Sequence, residues 1–179
     1  TRSDSSAASD VYKRQHPKYH TDSHPVDGEV DAFKRIIKMS EETKQPVMIF
    51  HVSSEKGLNE IKKGKLRGVH FFAETCTQYL SLNSSLLSQS NIKEAAKWIC
   101  SPPVRNKSDS EALWHGIEGK VLDLVSSDHA PYSFDEKGKF FMGNNPSFKE
   151  IPNGMPGLHW RLPITVSYTH LRAHETPRY

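Results

Sequence analysis

Cysteine is scarce: Cys76 and Cys100 are the only two in 179 residues. Two thiols give no disulfide framework, so a reduced, cytoplasmic protein is expected. Long apolar runs are missing. None approaches the roughly 20 residues that cross a bilayer, and the N-terminus has no apolar segment of the signal-peptide kind. Charge of one sign is also in short supply. Lys and Arg number 24 against 21 Asp and Glu, a formal charge of +3. That balance gives no reason to expect nucleic acid or a membrane as partner. Residues 16–165 show no internal repeat and no low-complexity segment. The length suits one domain.

What is present is organised around Val121–Tyr132, VLDLVSSDHAPY. Val121, Leu122, Leu124 and Val125 leave almost no polar face, the pattern of a parallel strand covered on both sides. The run ends in Ser126, Ser127, Asp128 and His129, and Pro131 closes it. A carboxylate and an imidazole at the C-terminal end of such a strand stand where barrel enzymes place their chemistry. Pro46–Ser54, PVMIFHVSS, repeats the design and delivers His51.

Both ends look foreign. Thr1–Gln15 has no apolar periodicity, and Val166–Tyr179 is equally out of pattern. The stretches SSAASDVYKRQ and VSYTHLRAHET resemble peptides translated from sequencing-adapter DNA. Residues 1–15 and 166–179 are therefore expected to be disordered, non-native tails, with 16–165 the genuine domain. His170 and His174 stand four apart, but no glutamate completes an HExxH pattern, so they are set aside.

Between the tails, His16–Asp27 reads as a loop, because Pro17 and Pro25 oppose a helix that would align His16, His20 and His24. Gly28–Lys44 reads as an amphipathic helix on Val30, Phe33, Ile37 and Ser40. A strand from Pro46 to Val52 follows, then a helix over Glu55–Lys65 capped by Ser54 and ended by Gly68. Val69–Thr75 is a second strand, with His70 facing a packed layer. Thr77–Ser90 reads as loop and Ile92–Trp98 as a short helix. Ser101-Pro102-Pro103 is a loop of fixed geometry. Ser108 and Glu111 suggest a capping box for the next helix, which Gly119 ends. Ser133–Pro152 is a long polar loop, and Ile151–Gly157 is dense in turn formers. Strands alternating with helices imply parallel βα units. Three strands cannot close a barrel, and the domain is shorter than the roughly 250 residues of a complete one. The expected fold is α/β, a fragment of a (β/α)8 barrel.

His51 alone reads most simply as a hydrogen-bonded structural residue. Asp128 alone reads as a helix cap, an arginine partner or a metal ligand. Together, at the ends of two strands of one sheet, they suit zinc and similar ions. Two ligands do not make a site, so spacing leaves the choice open. Glu74 reads as a salt-bridge partner. Cys76 lacks any CxxC support as a ligand. His129 either orients a ligand or caps the strand.

Six motifs in order resemble the dihydropyrimidinase/D-hydantoinase family of cyclic amidohydrolases: HVSS (51–54), ETCTQYL (74–80), SPPVR (101–105), LW (113–114), SDHAPY (127–132) and IPNGMPG (151–157). HPKYH (16–20) and the acidic helix after it also fit. The resemblance covers residues 16–165 and implies barrel strands six to eight. It implies that His51 ligates metal, that Asp128 ligates metal and shuttles the proton, and that the backbone at Ser101 and Asn153 holds the ring. It further implies two divalent ions, most simply zinc, a carboxylated bridging lysine upstream, a small cyclic ureide or imide substrate, and a homotetramer. Thr77 replaces a common proline, and His159 stands where an acidic residue is usual. The nearest alternatives are an allantoinase or dihydroorotase, or a non-catalytic scaffold that keeps the barrel. The fragment by itself is expected to be inactive.

Overall fold

A computed structural model describes residues 15–169. The expectations for 1–14 and 170–179, His170 and His174 included, lie outside them. In chain order the elements are α1 (Tyr19–Ser23), α2 (Val26–Thr43), β1 (Val47–Ile49), α3 (Glu55–Leu66), β2 (Phe71–Cys76) and α4 (Thr77–Ser81). A 3₁₀ turn (Ser84–Ser88), α5 (Ile92–Ala96), α6 (Lys107–Glu118), β3 (Leu124–Ser126) and α7 (Leu158–Ser167) complete them.

The three strands form one parallel sheet in the order β1-β2-β3. Val47 pairs with Phe71 and Glu74 with Leu124, which fixes the register. Parallel neighbours need a crossover, and α3 and α6 supply the two. One face of the sheet packs on the helices through Ile49, Phe71, Ala73 and Thr75, all buried. Phe72 and Leu124 lie on the opposite face and are about half exposed, at 47% and 51%. The fully covered strand expected at 121–125 is thus covered by helix on one side only, and Leu124 is open on the other.

Local chemistry explains each helix start. The Ser54 hydroxyl accepts the Gly57 N–H at 3.0 Å, as expected for α3. For α6 the capping box is Asn106 with Asp109, not Ser108 with Glu111. Asp109 also accepts the Glu55 N–H at 2.9 Å, so one carboxylate serves the N-termini of two helices. Favourable partial positive charge at both ends holds it there. Asp123 accepts the Ala73 N–H at 2.8 Å and pairs with Lys65 at 2.7 Å, pinning the entry of β3 to β2 and α3.

Several expectations change. Residues 19–23 are helical, with His20 buried and its Nε2 2.8 Å from the Cys100 carbonyl. Pro17 stands before the first turn, where a proline has no helical hydrogen bond to break. Thr77–Ser81 is helix, with Thr77, Gln78, Tyr79 and Leu80 buried. His70 precedes β2 and is exposed. At the edges of the expected tails, Gln15 accepts the Phe148 N–H at 2.8 Å. Val166 and Ser167 belong to α7, and the Tyr168 ring stacks on Trp114 at 4.2 Å. No described helix is long and apolar enough to cross a membrane.

Candidate active site

The C-terminal ends of all three strands open onto one edge of the sheet. His51 follows β1 and Asp128 follows β3, with β2 between them. Two strand spacings, roughly 10 Å, therefore separate their strands. Both residues hold left-handed backbone, φ +44° for His51 and +41° for Asp128. Outside glycine that region is sparsely populated, though His and Asp tolerate it better than most. Among the described residues the other two such non-glycine residues, Lys44 and Lys120, lie just past helix ends. At His51 and Asp128 no helix end accounts for the left-handed backbone, and strain of this kind clusters at functional sites.

His51 Nδ1 is buried and has no hydrogen-bond partner. An orphaned buried imidazole nitrogen fits a metal ligand, because neutral imidazole offers a lone pair that an ion satisfies. Asp128 is exposed. Among the described residues no group of three or more His, Cys, Asp or Glu stands together as a complete metal site. His51 and Asp128 are therefore candidate donors, not a complete site, among the described residues.

A fixed network positions the His51 turn. The Glu29 carboxylate on α2 accepts the Ser53 N–H at 2.7 Å and the Ser54 hydroxyl at 2.6 Å. Arg105 is buried, donates from Nε to the Ser53 hydroxyl at 3.2 Å, and donates to the His24 carbonyl at 2.6 Å. His51 and Ser101 both line a cleft of about 490 Å³, together with Glu29, Pro102 and Arg105. Asp128 does not line it.

Ser101 begins a loop whose Ser101–Pro102 peptide is cis. The Pro102 carbonyl accepts the Tyr79 hydroxyl at 2.8 Å and the Cys100 thiol at 3.2 Å. Burial pushes the Cys100 and Cys76 thiols up to about 12 and raises the Tyr79 hydroxyl well above its ordinary value. These groups are neutral donors, not nucleophiles. Glu74 has the Ser126 hydroxyl as its donor, at 3.1 Å, in place of the expected salt bridge.

Asn153 is exposed on the Ile151–Gly157 segment. Its neighbour Gly154 donates to the Ile99 carbonyl at 3.0 Å, tying this segment to the one that carries Ser101. Met155 bridges to His129, and Ala130 donates to the Met155 carbonyl at 3.1 Å. His129 Nδ1 accepts the Gly157 and Leu158 N–H groups at 3.0 and 3.3 Å. It thus caps α7 instead of β3. The structure so links Ser101 to Asn153 and Asn153 to the Asp128 turn, and places His51 beside Ser101. Sequence reasoning missed Glu29 and Lys139, and left Tyr79 and Arg105 as motif letters. Each acts through a contact between residues far apart in the chain, which local sequence pattern does not show.

No family model matches the chain. Curated relatives do. A D-hydantoinase of Rhizobium radiobacter is 41% identical over 146 residues, 82% of this chain and 31% of that protein. Among solved structures, D-hydantoinase from Bacillus sp. AR9 superposes with a TM-score of 0.81 at 32% identity, over 91% of this chain and 35% of that one. Dihydropyrimidinase from Brevibacillus agri NCHU1002 gives 0.80 at 31% identity, over 89% and 33%. The chain thus spans about a third of the length of the proteins it matches, and its three strands are an open part of their amidohydrolase barrel.

Proposed function

The chain belongs to the D-hydantoinase/dihydropyrimidinase family, and from that premise we propose that the whole protein hydrolyses the cyclic amide of dihydropyrimidines or 5-substituted hydantoins to N-carbamoyl amino acids. The observation that carries this reading is the strained pair: His51 and Asp128, both left-handed, at the C-terminal edge of one parallel sheet. In the whole barrel they would supply two ligands of a metal centre, with the remaining ligands, a carboxylated lysine among them, coming from other strands.

Two divalent ions held there, zinc or a similar ion, would supply a nucleophile at neutral pH and a Lewis acid for the ring carbonyl. The chain's own residues do the rest. His51 presents its buried, unpartnered ring nitrogen Nδ1. Asp128 takes the proton that the attacking water releases and returns it to the ring nitrogen as the amide breaks. Ser101 and Asn153 hold the ring by backbone groups, whose alternating donors and acceptors match those of an imide. The Tyr79 bond to Pro102 stiffens the first of these segments, so the contacts are in place before the ring arrives. By the same family pattern the whole protein is a homotetramer.

The test is an assay of the whole protein on dihydrouracil and a 5-substituted hydantoin, with and without chelator and with metal content measured. Metal-dependent ring opening of either is expected. Turnover of allantoin or dihydroorotate alone moves the assignment to those enzymes. A fully metallated, folded protein that opens none of these rings defeats the proposal.

A further inference from the structure

Lys139 lies in the long loop after β3, yet its side chain is 3% exposed. A buried lysine is rare unless its charge is met. Here Nζ donates to the Ile99 carbonyl at 3.0 Å and to the Pro152 carbonyl at 2.6 Å. The Tyr132 ring centroid lies 5.6 Å away, within cation–π reach. Ile99 stands two residues before Ser101, and Pro152 one residue before Asn153. The Ile99 carbonyl also accepts the Gly154 N–H, so it takes donors from both sides of the junction.

We propose that Lys139 is the positioning residue that sets the spacing of the two ring-holding segments, its ammonium bridging the carbonyls beside Ser101 and Asn153. The inference rests on the function proposed above. Without the cation, two carbonyl-bearing segments face each other with like partial charge, joined by the Gly154 N–H bond to the Ile99 carbonyl. With it, a displacement of either segment breaks a charge-assisted bond, roughly twice as strong as a neutral one. The residue touches no reacting atom. It fixes where the ring is held, so its loss is felt in substrate affinity before chemistry.

Burial lowers the Lys139 ammonium to about 8. Cys100 and His20, which face it, do not change charge through that range. Cys100 is a thiol up to about 12, burial lowers His20 so that it is neutral there, and Lys97 pairs with Glu94 at 2.6 Å. Tyr132 offers its ring face. Above pH 8 the amine keeps two N–H groups but loses charge assistance, and the clamp slackens. Fold stability owed to this group runs the other way. Its folded value lies below the unfolded 10.5, so that stability rises as pH climbs from 8 toward 10.5. A rise in KM above pH 8 is therefore not a shadow of unfolding caused by this lysine.

The experiment is steady-state kinetics of the whole metallated protein on dihydrouracil and a 5-substituted hydantoin between pH 7 and 9.5. It is run for the native protein, Lys139→Met and Lys139→Arg. KM of the native protein is expected to rise above pH 8. Lys139→Met is expected to raise KM about tenfold or more at pH 7, with kcat changed far less. Lys139→Arg, which cannot deprotonate, is expected to lose the pH break. Unchanged KM in a folded Lys139→Met protein, or a break that persists in Lys139→Arg, overturns the inference. Should neither variant fold, amide exchange of Gly154 in the native protein decides. Protection, corrected for intrinsic base catalysis, is expected to fall above pH 8, and constant protection refutes the clamp. A native protein that opens neither ring instead defeats the function on which the clamp rests.

Discussion

Glu29 and Ser53 are joined across 24 residues by a carboxylate that accepts the serine N–H at 2.7 Å and its hydroxyl at 3.1 Å. This bond sets where the β1 strand end stops and therefore where the left-handed turn at His51 stands. Glu29→Ala leaves the buried Ser53 N–H and the buried Ser54 hydroxyl without that acceptor. A loss of about 3 kcal/mol is expected in urea unfolding of the whole protein, since bonds to charged groups each contribute about 1.5–3 kcal/mol. Glu29→Gln keeps one carbonyl oxygen and should lose less. Equal losses for the two would mean that the charge contributes nothing.

Gly154 has φ +146°, and a Cβ there would stand 2.7 Å from both the Cβ and the carbonyl oxygen of Ala130. Neither atom belongs to a flexible side chain. Gly154→Ala must push the Asn153 segment away from the Asp128 turn or distort both. The expected result is a folded protein with substrate affinity reduced more than thermal stability. It is read as a KM increase beside a Tm shift of only a few degrees. An unchanged KM would show that this junction does not shape the ring site.

Much of this arrangement was legible in the chain. The parallel order, the Ser54 cap and the placement of His51 and Asp128 at strand ends follow from apolar runs that break into polar residues. What was hidden had physical causes. Asn106 and Asp109 displaced Ser108 and Glu111 as the capping box because Asp109 also reaches Glu55, a tertiary contact that local spacing cannot show. Thr77–Ser81 is helical because all but its last residue is buried against the sheet end and α6, so packing overrode two β-branched or polar residues at its start. His20 reads as loop in a proline-flanked stretch, yet burial and the Cys100 carbonyl hold it in a short helix. Lys139 is one lysine in a run of polar residues until its two carbonyls are seen.

The cysteines give a chemical test of the packing. Both thiols are buried and held near 12, so thiolate is scarce at pH 8 and access is closed. The native protein should resist a thiol reagent at pH 8 for hours, and denaturant should release both groups together. The folded values exceed the unfolded 9.0, so unfolded chains lose these protons first as pH rises. The thiols therefore favour the fold fully below pH 9, and that contribution is lost between about 9 and 12. Rapid labelling of Cys76 or Cys100 in native buffer would contradict the burial described.

The 179-residue chain, taken alone, should not retain zinc. Among the described residues no group of three or more His, Cys, Asp or Glu stands together, whereas stable zinc sites use three or four protein ligands. Dialysis against metal-free buffer followed by elemental analysis is expected to find well under one ion per chain. Stoichiometric retention would reveal ligands beyond His51 and Asp128.

In the whole protein, Asp128→Asn and Ser101→Ala separate a residue whose side chain does the chemistry from one whose backbone does the binding. Asparagine keeps the shape of aspartate and still offers one oxygen. It also tolerates the left-handed backbone that Asp128 adopts at φ +41°, so the fold should survive. What it loses is the negative charge that holds a cation and accepts a proton from water. General acid–base catalysis alone contributes about 10²–10⁴-fold, and weakened metal binding adds to that, so ring opening should nearly vanish. Ser101→Ala preserves the backbone amide and carbonyl, and the residue is exposed. Its effect should be within a few-fold. Both variants are assayed on dihydrouracil and a 5-substituted hydantoin with metal content measured in each. Near-normal turnover by fully metallated Asp128→Asn would remove Asp128 as the proton shuttle. Damage from Ser101→Ala equal to that from Asp128→Asn would give the hydroxyl a part in the reaction, and the backbone reading of the Ser101 loop would fall.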